Sequence, residues 1–318
     1  MMKNITLLSC LTLLLLLPCF GTNSTSPDIK IHFPLSVDSL QLKETVNFLS
    51  NIQPARNYKH PEILDSIATY IFTSLQASAD TVYYQQFTIH GVNYKNIIAK
   101  YGVQFSKKII VGAHYDTCHE LPGADDNASG IAGLLEIGRN IIIKNLKHQI
   151  ELVAYTLEEP PFFRTDQMGS AIHAESIDKK NVLGMVCLEM IGYYSNLPNS
   201  QEYPVQEMKF QYPNTGNFIA VIGRLNQAVF ANSISKLVAS KCKINVVSFN
   251  GPETMKGIDF SDHLNYWERE MNAVMVTNTA FYRNNNYHTE LDLPGTLNYT
   301  YMAWVVEGVL NAICNYNE

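Results

Sequence analysis

The chain has 318 residues, of which 46% are hydrophobic and 16% charged, and a formal net charge of −6. This is the composition of a folded protein with room for a substantial core, and not of a disordered chain. The negative balance leaves no basic footprint for nucleic acid, so that class of partner is set aside.

The first segment, MMKNITLLSCLTLLLLLPCFGTNSTS, carries one lysine, a leucine-rich centre and then small and polar residues. This pattern predicts a secretory leader over 1–22 and an exported chain: secreted, periplasmic or surface-anchored. The apolar stretch from Ile5 to Phe20 is short for an anchor, and nothing after it approaches a membrane span. Cys19 sits in LLPC, where proline takes the place of the small residue a lipoprotein signal needs, so lipidation is a weak alternative. Residues 23–318 are expected to form one domain.

Residues 38–53 and 60–76 place apolar side chains at helical spacing, and TVYYQQFTI and YKNIIAKYG read as strands. Six short apolar runs follow, at 107–116, 150–158, 182–191, 218–223, 244–249 and 272–279. Runs of this kind suit strands covered on both faces. Amphipathic stretches such as GIAGLLEIGRNIII, GSAIHAESI and NQAVFANSISKLVAS lie between them. The alternation predicts an α/β fold, a three-layer sandwich whose central, mostly parallel mixed sheet is flanked by helices. The polar segment 195–217 reads as a surface excursion within that domain.

Of six cysteines, Cys10 and Cys19 lie in the leader. Cys118, Cys187, Cys242 and Cys314 are widely spaced and form no CxxC pair, so a zinc site built from cysteines is not expected. A disulfide between two of them and buried free thiols both remain open.

In open α/β sheets ligands bind beyond the carboxyl ends of the strands. The first run there ends on His114 and Asp116, the second on Glu158 and Glu159, the third on Glu189. Residues two apart on a strand share a face, so Asp116 is placed to orient His114. PGADDNASG then opens a helix with two consecutive aspartates, more than capping requires, and YHTELDLPG offers His288 before the last helix. Burying adjacent carboxylates is costly, which points to metal. One of Glu158 and Glu159 would hold it while the other accepts a proton from bound water. His114, Asp126, Glu159, Glu189 and His288 form a mixed N/O set suited to zinc, with cobalt or manganese as substitutes. If Asp126 bridges, two Zn²⁺ ions per chain each receive three protein ligands and keep an open position.

GAHYDT, GADDNASG, LEEPP, LEMIG and YHTELD, in this order from about residue 107 to 310, resemble the motif series of the M28 family of zinc peptidases. That family includes bacterial leucyl aminopeptidases and the glutamate carboxypeptidase group. The resemblance implies the zinc exopeptidase fold, with Asp126 as bridging ligand, Glu159 and His288 completing one metal, and His114 and Glu189 the other. It also implies Glu158 as general base, Asp116 as partner of His114, and a cis peptide at Asp126–Asn127. Two departures stand out. Glu189 replaces the commoner Asp, and PPFFRTDQM takes the place of a shorter connection before Gly169 and Ser170. Asp262 and His263, in FSDHLNYW, are candidates for substrate binding or for supporting the ligands.

The expected function is therefore an exported dizinc exopeptidase acting on peptides, an aminopeptidase in first place. The motifs do not decide which chain end is cut, nor the oligomeric state. A single-zinc glutaminyl cyclase is an alternative, although such enzymes are expected to carry Trp where this chain has Tyr287. A non-catalytic binding module of the same fold is another, although such modules lose the ligands that are all present here.

Overall fold

The computed structural model describes residues 37–141 and 145–317. The expected leader lies outside the described residues. Asp38 caps α1 (Ser39–Ser50) by accepting a hydrogen bond from the Leu40 N–H at 2.8 Å. Pro61 opens α2 (Pro61–Gln76) at a position where no N–H is needed. The helix buries Leu64, Ile67, Ala68, Ile71 and Leu75, the stripe its spacing predicted.

β1 (Thr81–Ile89) and β2 (Val92–Tyr101) form a hairpin. Its two-residue turn, His90-Gly91, has positive φ at both positions, the geometry that matches the twist of paired strands. Six further strands complete one sheet: β3 (Lys108–His114), β4 (Gln149–Tyr155), β5 (Val182–Glu189), β6 (Phe218–Arg224), β7 (Asn245–Gly251) and β8 (Ala273–Thr277). The order is β1-β2-β4-β3-β5-β8-β6-β7. Pairs β3/β4, β3/β5, β5/β8 and β6/β7 are parallel, and the hairpin edge and the β6/β8 pair are antiparallel. The sheet is thus mixed with a parallel centre, as the alternation of runs and helices predicted.

The two faces are covered unequally. Ile109, Val111, Ile150, Leu152, Val186, Leu188, Val274 and Val276 point to one face. There they pack under α1, α2, α3 (Gly130–Ile141), α5 (Ala228–Ala239) and α7 (Tyr299–Asn315). Their neighbours Ile110, Val153, Met185, Cys187 and Met275 point the other way, as the two-residue period requires. That face is covered by the short helices α4 (Gly169–Ser176) and α6 (Leu264–Trp267), through Ala174, Tyr266 and Trp267. These helices leave the β6–β7 edge to loops. The 195–217 segment packs there, with Gln201 buried against Glu202, Thr279 and Arg283.

Gly130 marks the closest approach of α3 to the strand that precedes the site. A Cβ there would stand 2.4 Å from Asn127 Oδ1 and 2.6 Å from the Leu188 carbonyl oxygen, which is backbone and cannot swing aside. Gly130→Ala is therefore expected to lower the unfolding free energy by about 1–3 kcal/mol. Calorimetric or chemical denaturation measures this, and an unchanged midpoint would contradict the contact.

Candidate metal centre

The parallel strands carry the candidate ligands to one end of the sheet. His114 is the last residue of β3 and Glu189 the last of β5. β4 ends earlier than its apolar run suggested, at Tyr155, so Glu158 and Glu159 lie on the loop beyond it, after a positive-φ Leu157. Asp126 comes from the irregular turn 124–129 before α3, and His288 from the loop before α7. The Asp126–Asn127 peptide is cis, as the motif resemblance implied.

Asp126 faces both histidines. Its Oδ1 is 3.3 Å from His114 Nε2 and its Oδ2 is 3.1 Å from His288 Nε2. Each imidazole has one more carboxylate beside it: Glu189 Oε2 lies 3.3 Å from His114 Nε2, and Glu159 Oε2 lies 3.4 Å from His288 Nε2. Two histidine–carboxylate poles therefore share one aspartate. Glu158 stands slightly apart, 3.7 Å from His114 Nε2.

The spacing fits metal better than direct pairing. Two donors each about 2.0–2.2 Å from a tetrahedral zinc lie about 3.3–3.6 Å from one another. His288 Nε2 approaches two carboxylates closely, yet it is a buried atom that makes a hydrogen bond with neither. Glu159 Oε1 is likewise buried without a hydrogen-bond partner. Such atoms are costly unless something else satisfies them. Donors that crowd together without bonding one another converge on a common point.

The electrostatics agree. Burial, with Asp126 beside it, raises the Glu159 carboxyl to about 7, and burial likewise raises Glu189 and, furthest, Glu158. Burial opposes protonation of His288 and His114, but the surrounding carboxylates outweigh it and hold both imidazoles well above their ordinary range. Metal ions bound among these groups would compete with their protons.

Supporting residues hold the ligand loops. The Asp116 carboxylate lies 3.7 Å from His114 Nδ1, whereas its own carbonyl oxygen is nearer to that nitrogen, at 3.2 Å. That contact aims Nε2 at the cluster. The carboxylate instead accepts the backbone N–H groups of Glu158 and Glu159, at 3.2 and 3.1 Å, and so ties the Glu pair to β3. Asn127 donates to the Leu188 carbonyl at 2.9 Å and accepts from the Gly130 and Met190 N–H groups, joining the Asp126 turn to the end of β5. Sequence reasoning missed several others. Asp292 accepts the N–H groups of Asp125 and Asp126. Asp125 accepts from the Gly192 N–H and the Asn278 and Asn284 side chains. Buried Arg56 donates to the carbonyls of Leu49, Pro122 and Gly123. Ser261 donates to Glu189 Oε2 at 2.7 Å. Only Asp125 had a visible signal, the doubled aspartate of GADDNASG.

Asp262 and His263 are both fully buried. His263 Nε2 lies 2.8 Å from the Ile258 carbonyl, and neither residue lines the cavity beside the cluster. His263 thus braces its own loop, whereas both Asp262 carboxylate oxygens are buried without a hydrogen-bond partner. In PPFFRTDQM, Phe163 lines the cavity, Phe162 packs edge-on against Tyr58, and Arg164 pairs with Asp259 at 2.6 Å. Within this segment Phe163 thus borders the cavity while Phe162 and Arg164 pack the loop.

A cavity of about 290 Å³ opens from the cluster onto the thinly covered face of the sheet. Its walls include Met208, Tyr212, Phe218, Ile222, Phe249 and Met275. The 195–217 segment is therefore a wall of the site and more than a surface excursion. Beyond the clustered ligands and Glu158, the charged side chains in this wall are Glu202, paired with Lys209 at 2.7 Å, and Lys256. None of Cys118, Cys187, Cys242 and Cys314 is joined in a disulfide. No described helix is long and apolar enough to cross a membrane.

Comparison with known proteins bears on the same residues. The model of "Peptidase family M28" matches residues 96–313. The chain is 44% identical over 283 residues to "Uncharacterized protein YfbL" of Escherichia coli (strain K12), covering 86% of this chain and 87% of that one. It is 27% identical over 241 residues to "Leucine aminopeptidase 1" of Neurospora crassa, covering 70% of this chain but 54% of the other, so it spans about half the length of that relative. Among solved structures, a glutaminyl cyclase of Bacteroides thetaiotaomicron bound to N-acetylhistamine aligns with TM-score 0.65 at 19% identity, over 88% of this chain and 99% of that one. At that identity the likeness is one of fold. The family match runs from β2 to α7 and takes in every clustered ligand, and on that ground the chain belongs to peptidase family M28 and is a metallopeptidase.

Proposed function

We propose that this protein is an exported aminopeptidase that works with two zinc ions. The observation that carries the reading is Asp126 standing between two imidazoles, each with its own second carboxylate. His114 and Glu189 would hold one ion, His288 and Glu159 the other, and Asp126 both. Bound there, the ions supply Lewis acidity to a peptide carbonyl and lower the pKa of water from about 16 to about 7.

Glu158 is buried and belongs to neither pole. It takes a proton from the attacking water and returns it to the departing amine nitrogen, the work of a general base and then an acid. Asp116 holds it in place through its backbone N–H. Sites that accept a chain's C-terminal carboxylate need a cation aimed at it. Around this cavity the carboxylates are in excess and Lys256 is exposed, lying over the Phe281 ring. That balance favours a free α-amine. The apolar walls favour a large apolar side chain next to that amine. The leucine-rich first segment supports export.

A glutaminyl cyclase is the second reading, favoured by the shared fold. Here Tyr287 stacks on His288 with ring centroids 3.8 Å apart. Metal content separates the two readings. Two zinc ions per chain with release of a free amino acid support the peptidase, whereas one zinc with cyclisation of N-terminal glutamine supports the cyclase.

Chelation is expected to abolish hydrolysis and added zinc to restore it. In a panel of peptides, release is expected to require a free α-amine and to be fastest with Leu, Met or Phe at the first position. Equal cleavage of N-acetylated peptides would contradict the aminopeptidase assignment. Glu158→Gln is expected to retain both ions by elemental analysis while kcat falls by about 10²–10⁴-fold. Full turnover in that variant would remove Glu158 from the proton transfer.

A further inference from the structure

Among the buried groups beside the cluster to which the dinuclear reading gives no role is the thiol of Cys118. It follows β3 on a loop anchored by the Thr117 N–H, which donates to the Arg56 carbonyl at 2.9 Å. Cys118 is free and only 5% exposed. Its Sγ, a Glu159 carboxylate oxygen and a His288 ring nitrogen all lie within 4.8 Å of one another. Glu159 is 4% exposed, and its Oε1 has no hydrogen-bond partner. A sulfur, an oxygen and a nitrogen donor therefore face one small volume. The other pole, His114 with Asp126 and Glu189, closes a similar group that contains no sulfur.

We propose that Cys118, as a thiolate, is a further protein ligand of the ion held by Glu159 and His288. On binding, the S–H bond breaks, the proton leaves to solvent and the sulfur lone pair is donated to the metal. A thiolate is a soft donor that favours zinc or cobalt over magnesium or manganese. The two poles then differ in kind. Glu159, His288 and Cys118 would give that ion a sulfur donor that the His114–Glu189 pole lacks. This proposal rests on reading the cluster as a metal centre, and its test keeps the two apart.

The full chain is stripped of metal and titrated with Co²⁺, with bound cobalt counted by elemental analysis and the absorption spectrum recorded at each step. Two cobalt ions per chain are expected, with visible d–d bands. An intense near-ultraviolet sulfur-to-cobalt charge-transfer band is expected to grow with one of the two equivalents only. The band is expected to be lost in Cys118→Ser while both ions remain bound, and to persist in Cys187→Ala, which removes the other buried thiol near the cluster. Cobalt bound with d–d bands but no charge-transfer band in the unmodified chain would overturn the Cys118 assignment and leave the dinuclear reading intact. A charge-transfer band at one cobalt per chain, lost in Cys118→Ser, would uphold Cys118 and overturn the two-metal reading. No bound cobalt would overturn both. A band lost in Cys187→Ala and kept in Cys118→Ser would overturn the Cys118 assignment, and absence of the band in the unmodified chain overturns it without either variant.

Discussion

Carboxylates crowd the C-terminal ends of β3, β4 and β5, and like charges held close and away from water are tolerable only against concentrated positive charge. Asp126, Glu158, Glu159 and Glu189 are all buried. The basic groups nearby are the buried His114, the half-buried His288 and Arg56, whose guanidinium bonds three backbone carbonyls. The remaining balance falls to metal ions, and this need shapes the loops around the site.

The acids divide by what their oxygens meet. Asp116, Asp125 and Asp292 accept backbone N–H groups from the very turns that carry the ligands. They act as struts, converting loop backbone into fixed geometry. Asp126, Glu159 and Glu189 turn oxygens toward imidazole nitrogens and one another, and Glu159 Oε1 has no hydrogen-bond partner at all. A strut needs its oxygens satisfied by the protein, whereas a ligand must leave one unsatisfied until metal arrives. Asp116 spans the two roles through its carbonyl at His114 and its carboxylate at the Glu pair.

The unequal covering of the sheet explains where substrate goes. The face under α1, α2, α3, α5 and α7 is packed solid, and it supplies the stability on which a strained loop cluster can stand. The opposite face has only α4 and α6 and is finished by the 195–217 segment and the loop after β7. Loops cannot fill that volume as helices do, so an apolar cavity remains against Phe218, Phe249 and Met275, directly beside the candidate ligands. On the proposed reading, an apolar side chain would bind there and a peptide bond would lie at the cluster, two consequences of one incomplete layer.

Much of this was legible in the sequence. Apolar runs of strand length, alternating with helical stripes, already specify a parallel-centred α/β sandwich, because the periods of 2 and 3.6 state which faces are buried. The motifs singled out the five candidate ligands and Glu158, which the fold brings together, since few other demands place acids and histidines at successive strand ends. Local pattern holds no distances, however. Asp292, Arg56 and Ser261 carry no motif, and their roles come from contacts across 66 to 167 residues that only sheet register and loop packing create. The 195–217 segment shows the same limit: its polarity is a property of the chain, while its place against the β6–β7 edge depends on where the helical layer stops.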